Sequence, residues 1–194
     1  MLLVGDIHIN ARFQDKIIEQ LDTYVHSHPD EKHIIFCGDF VYHFSYDRNA
    51  LLALYHFFLQ LLQEGKYLYI LAGNHDRLGN SFVFEEARKA FEIVNSITHD
   101  QGKIFFITQP QEYNIEGQQT LFLPYMIDSQ KMGELSSSLD KGRQEGIWDT
   151  IDLLKQSTNK NELLSAAVNE YLWSAIAGEK DLLVIHHYSI NNTK

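Results

Sequence analysis

The sequence predicts an α/β fold built around a parallel sheet. Three short apolar stretches, residues 2–4, 33–37 and 67–72, favour β-strands, and each is followed by apolar residues at helical spacing. Strands and helices that alternate in this way form parallel sheets with right-handed crossovers. Each stretch also ends at a glycine followed by polar residues, which places polar side chains where α/β sheets bind ligands. A chain of 194 residues suits one domain with a full core.

Apolar spacing and capping residues predict three helices in the first half of the chain. Apolar side chains recur at helical spacing over residues 12–26, which predicts the first helix. Asp47 is a suitable N-cap for a second helix, which Gly65 is placed to end. Ser81, with Glu85 nearby, opens the third predicted helix.

The second half of the chain is less regular. It is expected to hold three more strands, with a turn at residues 114–117 between the first two. The predicted strands cover residues 103–108, 120–123 and 182–185. The other predicted elements are a surface loop at 132–146 and two helices at 147–156 and 163–176. The last strand runs directly into His186 and His187.

Composition narrows the class of protein. The formal charge of −10 argues against a generic binder of nucleic acid or anionic membranes, which normally carries a basic surface. The single cysteine, Cys37, excludes an internal disulfide and suits a reducing compartment. No signal peptide is visible, and the apolar run at residues 51–62 is too short to span a bilayer. We therefore expect a cytoplasmic protein without membrane association.

Side chains that can bind a metal follow four of the predicted strands. They are Asp6 and His8 after the first strand, Asp39 after the second, Asn74 after the third and His186 after the last. Asp6 and His8 are separated by one residue, so on an extended chain both point the same way. If the four strands lie side by side in one parallel sheet, all these side chains converge. The mixed set contains no thiolate and suits Mn²⁺, Zn²⁺ or Fe²⁺.

The number of these ligands predicts two metal ions, with Asp39 in a bridging position. Two metals about 3.5–4 Å apart are a recurring device for in-line attack on phosphorus. His75 can donate a proton near neutral pH, and Asp76 beside it is placed to hold the imidazole's orientation. Each feature alone has a structural explanation, such as a polar turn or a core histidine. The ordered set at successive strand ends favours a catalytic site.

The same residues resemble the first four motifs of the calcineurin-like metallophosphoesterases. The matching segments are Gly5-Asp6-Ile7-His8, Gly38-Asp39, Gly73-Asn74-His75-Asp76 and His186. Within that superfamily, the chain is most similar to SbcD-type DNA repair exonuclease subunits. This second similarity rests on Leu71-Ala72, Leu121-Phe122-Leu123-Pro124-Tyr125 and Leu182-Leu183-Val184-Ile185-His186. The resemblance implies one domain over residues 1–194, with layers of sheet and helix and a largely parallel sheet near the site.

The resemblance also implies a role for each site residue. Asp6 and His8 would bind the first metal, Asp39 would bridge, and Asn74 and His186 would bind the second. His75 would contact the scissile phosphate or the leaving oxygen. The nucleases of the family carry a further histidine past the second motif, and His43 is the candidate. It lies four residues after Asp39, where the family places it three after, and Tyr42 occupies that position.

One motif of the family is absent. The family closes its site with Gly-His-x-His after the fourth motif, and residues 188–194 contain no histidine. Two explanations stay open: a domain truncated before its last strands, or a natural short form. A truncated chain is expected to be marginally stable and weakly active when expressed alone. Whether His186 or His187 is the ligand also stays open.

Three functions are compatible with these observations. The resemblance favours a metal-dependent phosphodiester hydrolase, namely a DNA repair exonuclease subunit that uses two ions, Mn²⁺ above all. It implies DNA as the substrate and an SbcC-like ATPase as a partner, and it allows a homodimer. A phosphodiesterase or phosphatase for small substrates agrees better with the acidic charge. A catalytically weakened binding subunit agrees with the missing motif, although the retained ligands oppose it.

Overall fold

The structure is a computed structural model that describes residues 1–41, 47–79, 81–97, 102–125 and 181–187. The chain divides into two compact units, Met1–Thr108 and Gln109–Lys194. The described elements of the first unit are, in order, β1 (Leu2–Val4), α1 (Gln14–His26), β2 (His33–Phe36), α2 (Arg48–Gln63), β3 (Tyr67–Leu71), β4 (Arg77–Leu78), β5 (Ser81–Phe82), α3 (Glu85–Ile97) and β6 (Ile104–Ile107). Those of the second unit are β7 (Gln111–Ile115), β8 (Gln118–Leu123) and β9 (Leu183–His186).

A parallel sheet in the order β1-β2-β3-β6 organises the first unit, which confirms the predicted α/β class. Its first three strands are paired in phase, with Val4 opposite Phe36 and Phe36 opposite Ile70. Most of the strand side chains are buried, as expected for a parallel sheet covered by crossover helices. Because the strands end at matched positions, the loops that follow β1, β2 and β3 begin at one edge of the sheet.

The core of this unit forms where α2 and α3 pack on one face of the sheet. Phe36, Ile70 and Phe106 share that face because they are opposite one another in the strand register. The ring of Phe36 packs on Phe58 of α2 with 5.0 Å between centroids, and the ring of Phe106 packs on Phe91 of α3 at 5.6 Å. Buried aromatic pairs of this kind hold the helices on the sheet beneath the site.

Helix α2 begins and ends where the sequence predicts. The side chain of Asp47 accepts hydrogen bonds from the backbone N–H groups of Asn49 and Ala50, at 3.1 and 3.2 Å. Its other oxygen accepts the N–H of Ala11 at 2.9 Å, which ties the start of α2 to the chain segment after β1. Gly65 follows the helix with a φ of 81°, a left-handed conformation that favours glycine.

The predicted start of α3 is wrong. Ser81 belongs to β5, which pairs antiparallel with β4, and the helix itself begins at Glu85. Strands of two residues are too short to produce a periodic apolar pattern, and serine favours helix caps, so the sequence predicts a helix start here instead of a strand. The helix nevertheless buries Phe91, as its predicted apolar stripe requires.

Three strands form the sheet of the second unit, in the order β7-β8-β9. A two-residue turn joins β7 and β8, and both of its residues, Glu116 and Gly117, have positive φ values, 53° and 90°. Such values suit the tight turns that match the twist of a hairpin. Strand β9 runs parallel to β8, with His186 opposite Leu123.

Two predictions about these later strands are wrong. The strand predicted at 103–108 pairs with β3 in the first sheet. The hairpin partner of β8 is β7, whose mainly polar sequence does not predict a strand. The last strand, β9, lies in the sheet of β8, so four strand ends do not line up in one sheet. An apolar pattern predicts a strand without naming its partner, since pairing depends on tertiary contacts.

Some predictions lie outside the described residues, namely the loop at 132–146 and the helices at 147–156 and 163–176. In the part of the chain that the structure describes, no helix is long and apolar enough to cross a membrane. The apolar run at 51–62 lies within α2, where its buried side chains face the protein core.

Replacing Asp47 by alanine removes the acceptors of three backbone N–H groups, those of Ala11, Asn49 and Ala50. We expect D47A to lower the free energy of unfolding by about 1–2 kcal/mol, the usual size of a lost N-cap. Urea denaturation followed by circular dichroism measures the change. Asp30 is exposed and makes no hydrogen bond within the described residues, so D30A is the control. Equal losses in the two variants would contradict the capping role.

Candidate metal centre

Three loops meet at the carboxyl edge of the first sheet. They are called here the β1 loop (residues 5–9), the β2 loop (37–41) and the β3 loop (72–76). The backbone N–H of His8 donates to the carbonyl of Asp39 at 2.9 Å, which joins the first two loops. The backbone N–H of His75 donates to Oδ1 of Asp39 at 2.9 Å, which joins the last two. Asp39 therefore connects all three loops.

Asp39 is buried, with 6% of its surface exposed. Its φ is 54°, and Gly38 before it has a φ of 100°, so the β2 loop turns sharply here. Oδ2 of Asp39 lies 3.9 Å from Nε2 of His8 and 4.0 Å from Nε2 of His75. The two imidazole rings are edge to face, with 5.1 Å between their centroids. One carboxylate oxygen thus faces two imidazole nitrogens.

The backbone of the β2 loop sets the tautomer of His8. Nδ1 of His8 lies 3.1 Å from the carbonyl oxygen of Val41. A carbonyl can only accept, so in the neutral imidazole the proton is assigned to Nδ1 and Nε2 is left as a possible metal ligand. The amino-acid sequence gives no sign of this role for Val41, because a backbone atom performs it.

Asp6 and His8 approach Asp39 for a different reason from the one predicted. A carboxylate oxygen of the exposed Asp6 lies within 4.8 Å of one from Asp39. His8 has a φ of 46°, so the β1 loop is not extended, and strand alternation does not explain the convergence. The loop is instead held against the β2 loop by its backbone hydrogen bonds. Asn74, half-buried, lies in the turn just before His75.

These side chains fit a divalent cation. Ligand atoms that bind one ion at about 2.0–2.2 Å lie about 3–4.4 Å from each other, and the 3.9 Å between His8 Nε2 and Asp39 Oδ2 is in that range. Carboxylate and imidazole together suit Mn²⁺, Zn²⁺ or Fe²⁺. Asp6, His8 and Asp39 could therefore hold an ion, with Asn74 and His75 beside them in the β3 loop.

The close approach of two loops explains Gly73. A Cβ atom at this position would lie 2.3 Å from both the backbone nitrogen and Oδ1 of Asp39. Gly5, the corresponding glycine after β1, has no other atom within 4 Å of an added Cβ. Of these two glycines, Gly73 is the one required for space, because its own backbone lies against Asp39.

Asp76 does not act as predicted. It is fully buried, and its carboxylate accepts backbone N–H groups from Phe40 at 2.7 Å, Val41 at 3.3 Å and Gly73 at 2.8 Å. Within the described residues it makes no hydrogen bond to His75, so it does not orient that imidazole. Burial raises the pKa of Asp76 to about 6, the amides of Gly73 and Phe40 oppose this, and the charge of Asp39 adds to it.

His186 ends β9 in the second unit. Its Nδ1 is buried and has no hydrogen-bond partner in the described part of the chain. Burial lowers the pKa of His186, and the neighbouring His187 lowers it further by a smaller amount. The lowered pKa favours the neutral imidazole, which is the form that binds metals. His187 donates its backbone N–H to the carbonyl of Leu123 at 3.2 Å. Either histidine remains a candidate ligand, and His43 lies outside the described residues.

The two glycines provide a matched test of the loop contact. G73A should lower the free energy of unfolding by about 1–3 kcal/mol, because the new methyl group overlaps Asp39. G5A should change it by less than about 0.5 kcal/mol, because the added atom meets open space. Chemical denaturation measures both. Similar values for the two variants would show that the β2 and β3 loops are not in this close contact.

The pKa of Asp76 predicts a pH dependence of stability. Its folded-state pKa of about 6 lies above the ordinary value, so this group stabilises the fold most below about pH 4. That contribution is lost as the pH rises through about 6. With metal removed, the unfolding free energy of the wild type minus that of D76N should fall by up to about 3 kcal/mol from pH 4 to 7. A difference that grows with pH would mean that the amides outweigh burial.

Comparison with known families gives a result that agrees with this geometry. The family model for calcineurin-like phosphoesterases matches residues 1–192, nearly the whole chain. No curated protein matches the chain. The family binds two divalent metals, in agreement with the carboxylate and imidazole ligands gathered around Asp39. The chain therefore belongs to the calcineurin-like phosphoesterase family.

Proposed function

We propose that this chain is a metal-dependent phosphodiester hydrolase whose substrate is DNA. Membership of the calcineurin-like phosphoesterase family supports metal-dependent hydrolysis of phosphoesters by this chain. The observation that carries the proposal is the convergence of three loops on Asp39, with two imidazole nitrogens about 4 Å from one of its oxygens. This arrangement offers both a cation site and a nearby proton donor.

Each residue has a distinct task in the proposed reaction. Asp6 and His8 would hold the first ion and Asn74 the second, and the Asp39 carboxylate would serve both. When bound, the ions supply charge neutralisation at the phosphate and a coordinated water of lowered pKa. His8 would use Nε2 as its ligand atom, because Nδ1 donates to the carbonyl of Val41.

His75 acts on the substrate. Its backbone N–H is anchored on Oδ1 of Asp39, and its Nε2 lies 4.0 Å from Oδ2 of the same residue. The imidazole is therefore held beside the metal ligands, where it donates a proton to the leaving oxygen. A proton donor at this point is most valuable when the leaving group is poor.

The choice of DNA rests on the resemblance to SbcD-type exonuclease subunits. The resemblance includes the Leu121 to Tyr125 segment, whose first three residues end β8, and the strand that leads into His186. A formal charge of −10 opposes tight DNA binding by the chain alone, since neutralised phosphates supply most non-specific affinity. We therefore propose that a partner with a basic surface, such as an SbcC-like ATPase, presents the DNA. This chain would act in that complex as one copy or as a homodimer.

The same charge favours a second candidate, hydrolysis of a small phosphodiester or phosphomonoester. A small substrate needs no extended basic surface, so the net charge of −10 is no obstacle to its binding. This function would use the same ligands and the same His75, and only the surroundings of the site would differ.

Substrate assays with Mn²⁺ distinguish the two candidates. We expect the purified chain to hydrolyse bis-p-nitrophenyl phosphate when Mn²⁺ is added and to lose this activity with EDTA. A nuclease should also degrade single- or double-stranded DNA at low salt, and more rapidly once the partner is added. Activity on the small diester without any on DNA under these conditions would favour the second candidate. No Mn²⁺-dependent hydrolysis of any phosphoester would contradict both.

Variants of two histidines and of Asp39 test the assigned roles. H75A should reduce kcat on a poor leaving group by about 10²–10⁴-fold while Mn²⁺ affinity is kept, because His75 acts as a proton donor. D39N should weaken both kcat and Mn²⁺ binding. His56 is exposed on α2, so H56A is the control and should match the wild type. An H75A variant with unchanged kcat would remove the donor role.

A further inference from the structure

Asp76 connects the two loops that carry Asp39 and His75. One of its oxygens, Oδ1, accepts consecutive N–H groups of the β2 loop, from Phe40 at 2.7 Å and Val41 at 3.3 Å. The other, Oδ2, accepts the N–H of Gly73 in the β3 loop at 2.8 Å. The side chain is fully buried, so these bonds do not compete with solvent. The Asp76 carboxylate is therefore a second link between the two loops, beside the hydrogen bond from the His75 N–H to Oδ1 of Asp39.

This link fixes the position of the Asp39 carboxylate. Asp39 immediately precedes the two N–H groups that Oδ1 of Asp76 holds, and its own backbone has a φ of 54°. On the other side, Gly73 touches Asp39 so closely that no side chain fits between them. Moving either loop would shift the oxygen that lies about 4 Å from His8 and His75.

The same link reaches His8 through Val41. The N–H of Val41 donates to Asp76, and the carbonyl of Val41 faces Nδ1 of His8 at 3.1 Å. Val41 therefore lies between Asp76, which accepts its N–H, and His8, whose Nδ1 faces its carbonyl.

We propose that Asp76 is a positioning residue, which sets the place of the Asp39 carboxylate and the tautomer of His8 without contacting metal or substrate. The inference rests on the metal site of the proposed function. It assigns Asp76 a task in metal binding that is separate from its contribution to stability. Groups that orient metal ligands usually affect affinity by about 10- to 100-fold.

The first experiment measures Mn²⁺ affinity by titration calorimetry on the full chain. The D76N variant would keep one oxygen for the β2 loop but would turn an NH₂ group towards the N–H of Gly73, and D76A would remove all three bonds. We expect D76N and D76A to weaken Mn²⁺ binding by about 10- to 100-fold. D47A is the matched control, because Asp47 also accepts three backbone N–H groups, yet at the start of α2. It should lose stability and keep its Mn²⁺ affinity.

The second experiment observes the metal-free protein. Nitrogen NMR of the ring of His8 should show a proton on Nδ1 in the wild type and in D47A, and a mixture of tautomers in D76N. Loss of stability alone would not change the tautomer of a folded protein, so this measurement separates positioning from a purely structural role. It needs no bound metal and no activity.

Hydrogen exchange in the wild type covers the case in which neither variant folds. The amides of Phe40, Val41 and Gly73 should exchange slowly before Mn²⁺ is added, because the link exists without metal. Fast exchange of these amides would overturn the proposal, and so would a D76N variant with the Mn²⁺ affinity and the His8 tautomer of D47A. A wild type that binds no Mn²⁺ would contradict the proposed function, while the tautomer and exchange data would still decide the role of Asp76.

Discussion

The candidate site depends on the in-phase parallel pairing of β1, β2 and β3. Because Val4, Phe36 and Ile70 are opposite one another, the three following loops leave the sheet at the same height and meet. A shift of one strand by a single residue would move its loop by about 3.3 Å and turn its side chains to the opposite face. Distances near 4 Å between Asp39 and two histidines would not survive such a shift.

The site contains two buried carboxylates, Asp39 and Asp76, which have different partners. Asp76 accepts hydrogen bonds from backbone N–H groups of the β2 and β3 loops and links the two loops. Asp39 has one oxygen bound to the N–H of His75, and its other oxygen is turned towards the two imidazoles. Asp39 also raises the pKa of Asp76, and Asp6 adds a third acid nearby. This concentration of negative charge in a chain of −10 is an environment that a divalent cation would stabilise.

Left-handed backbone conformations also occur at the candidate metal site. Among the described residues other than glycine, positive φ values occur at His8, Asp39 and Glu116. The last belongs to a hairpin turn that requires it, whereas the first two are in the site itself. Left-handed conformations of ordinary residues cost free energy and persist where surrounding contacts hold them. Here the contacts are the hydrogen bonds between loops, so the positions of His8 and Asp39 are set by the fold.

The sequence predicts the three strand-helix units of the first unit, although not the short strands β4 and β5, and it places most candidate site residues at strand ends. It could do so because local signals carry this information: apolar stretches that stop at Gly5, Gly38 and Gly73, and a cap at Asp47. The sequence does not predict which strands pair, since β9 pairs with β8 and β6 with β3 through contacts distant in sequence. Tertiary structure also decided the task of Asp76. A carboxylate beside a histidine looks like its partner in a sequence, but the fold buries Asp76 among three backbone amides, and their hydrogen bonds direct it away from that role.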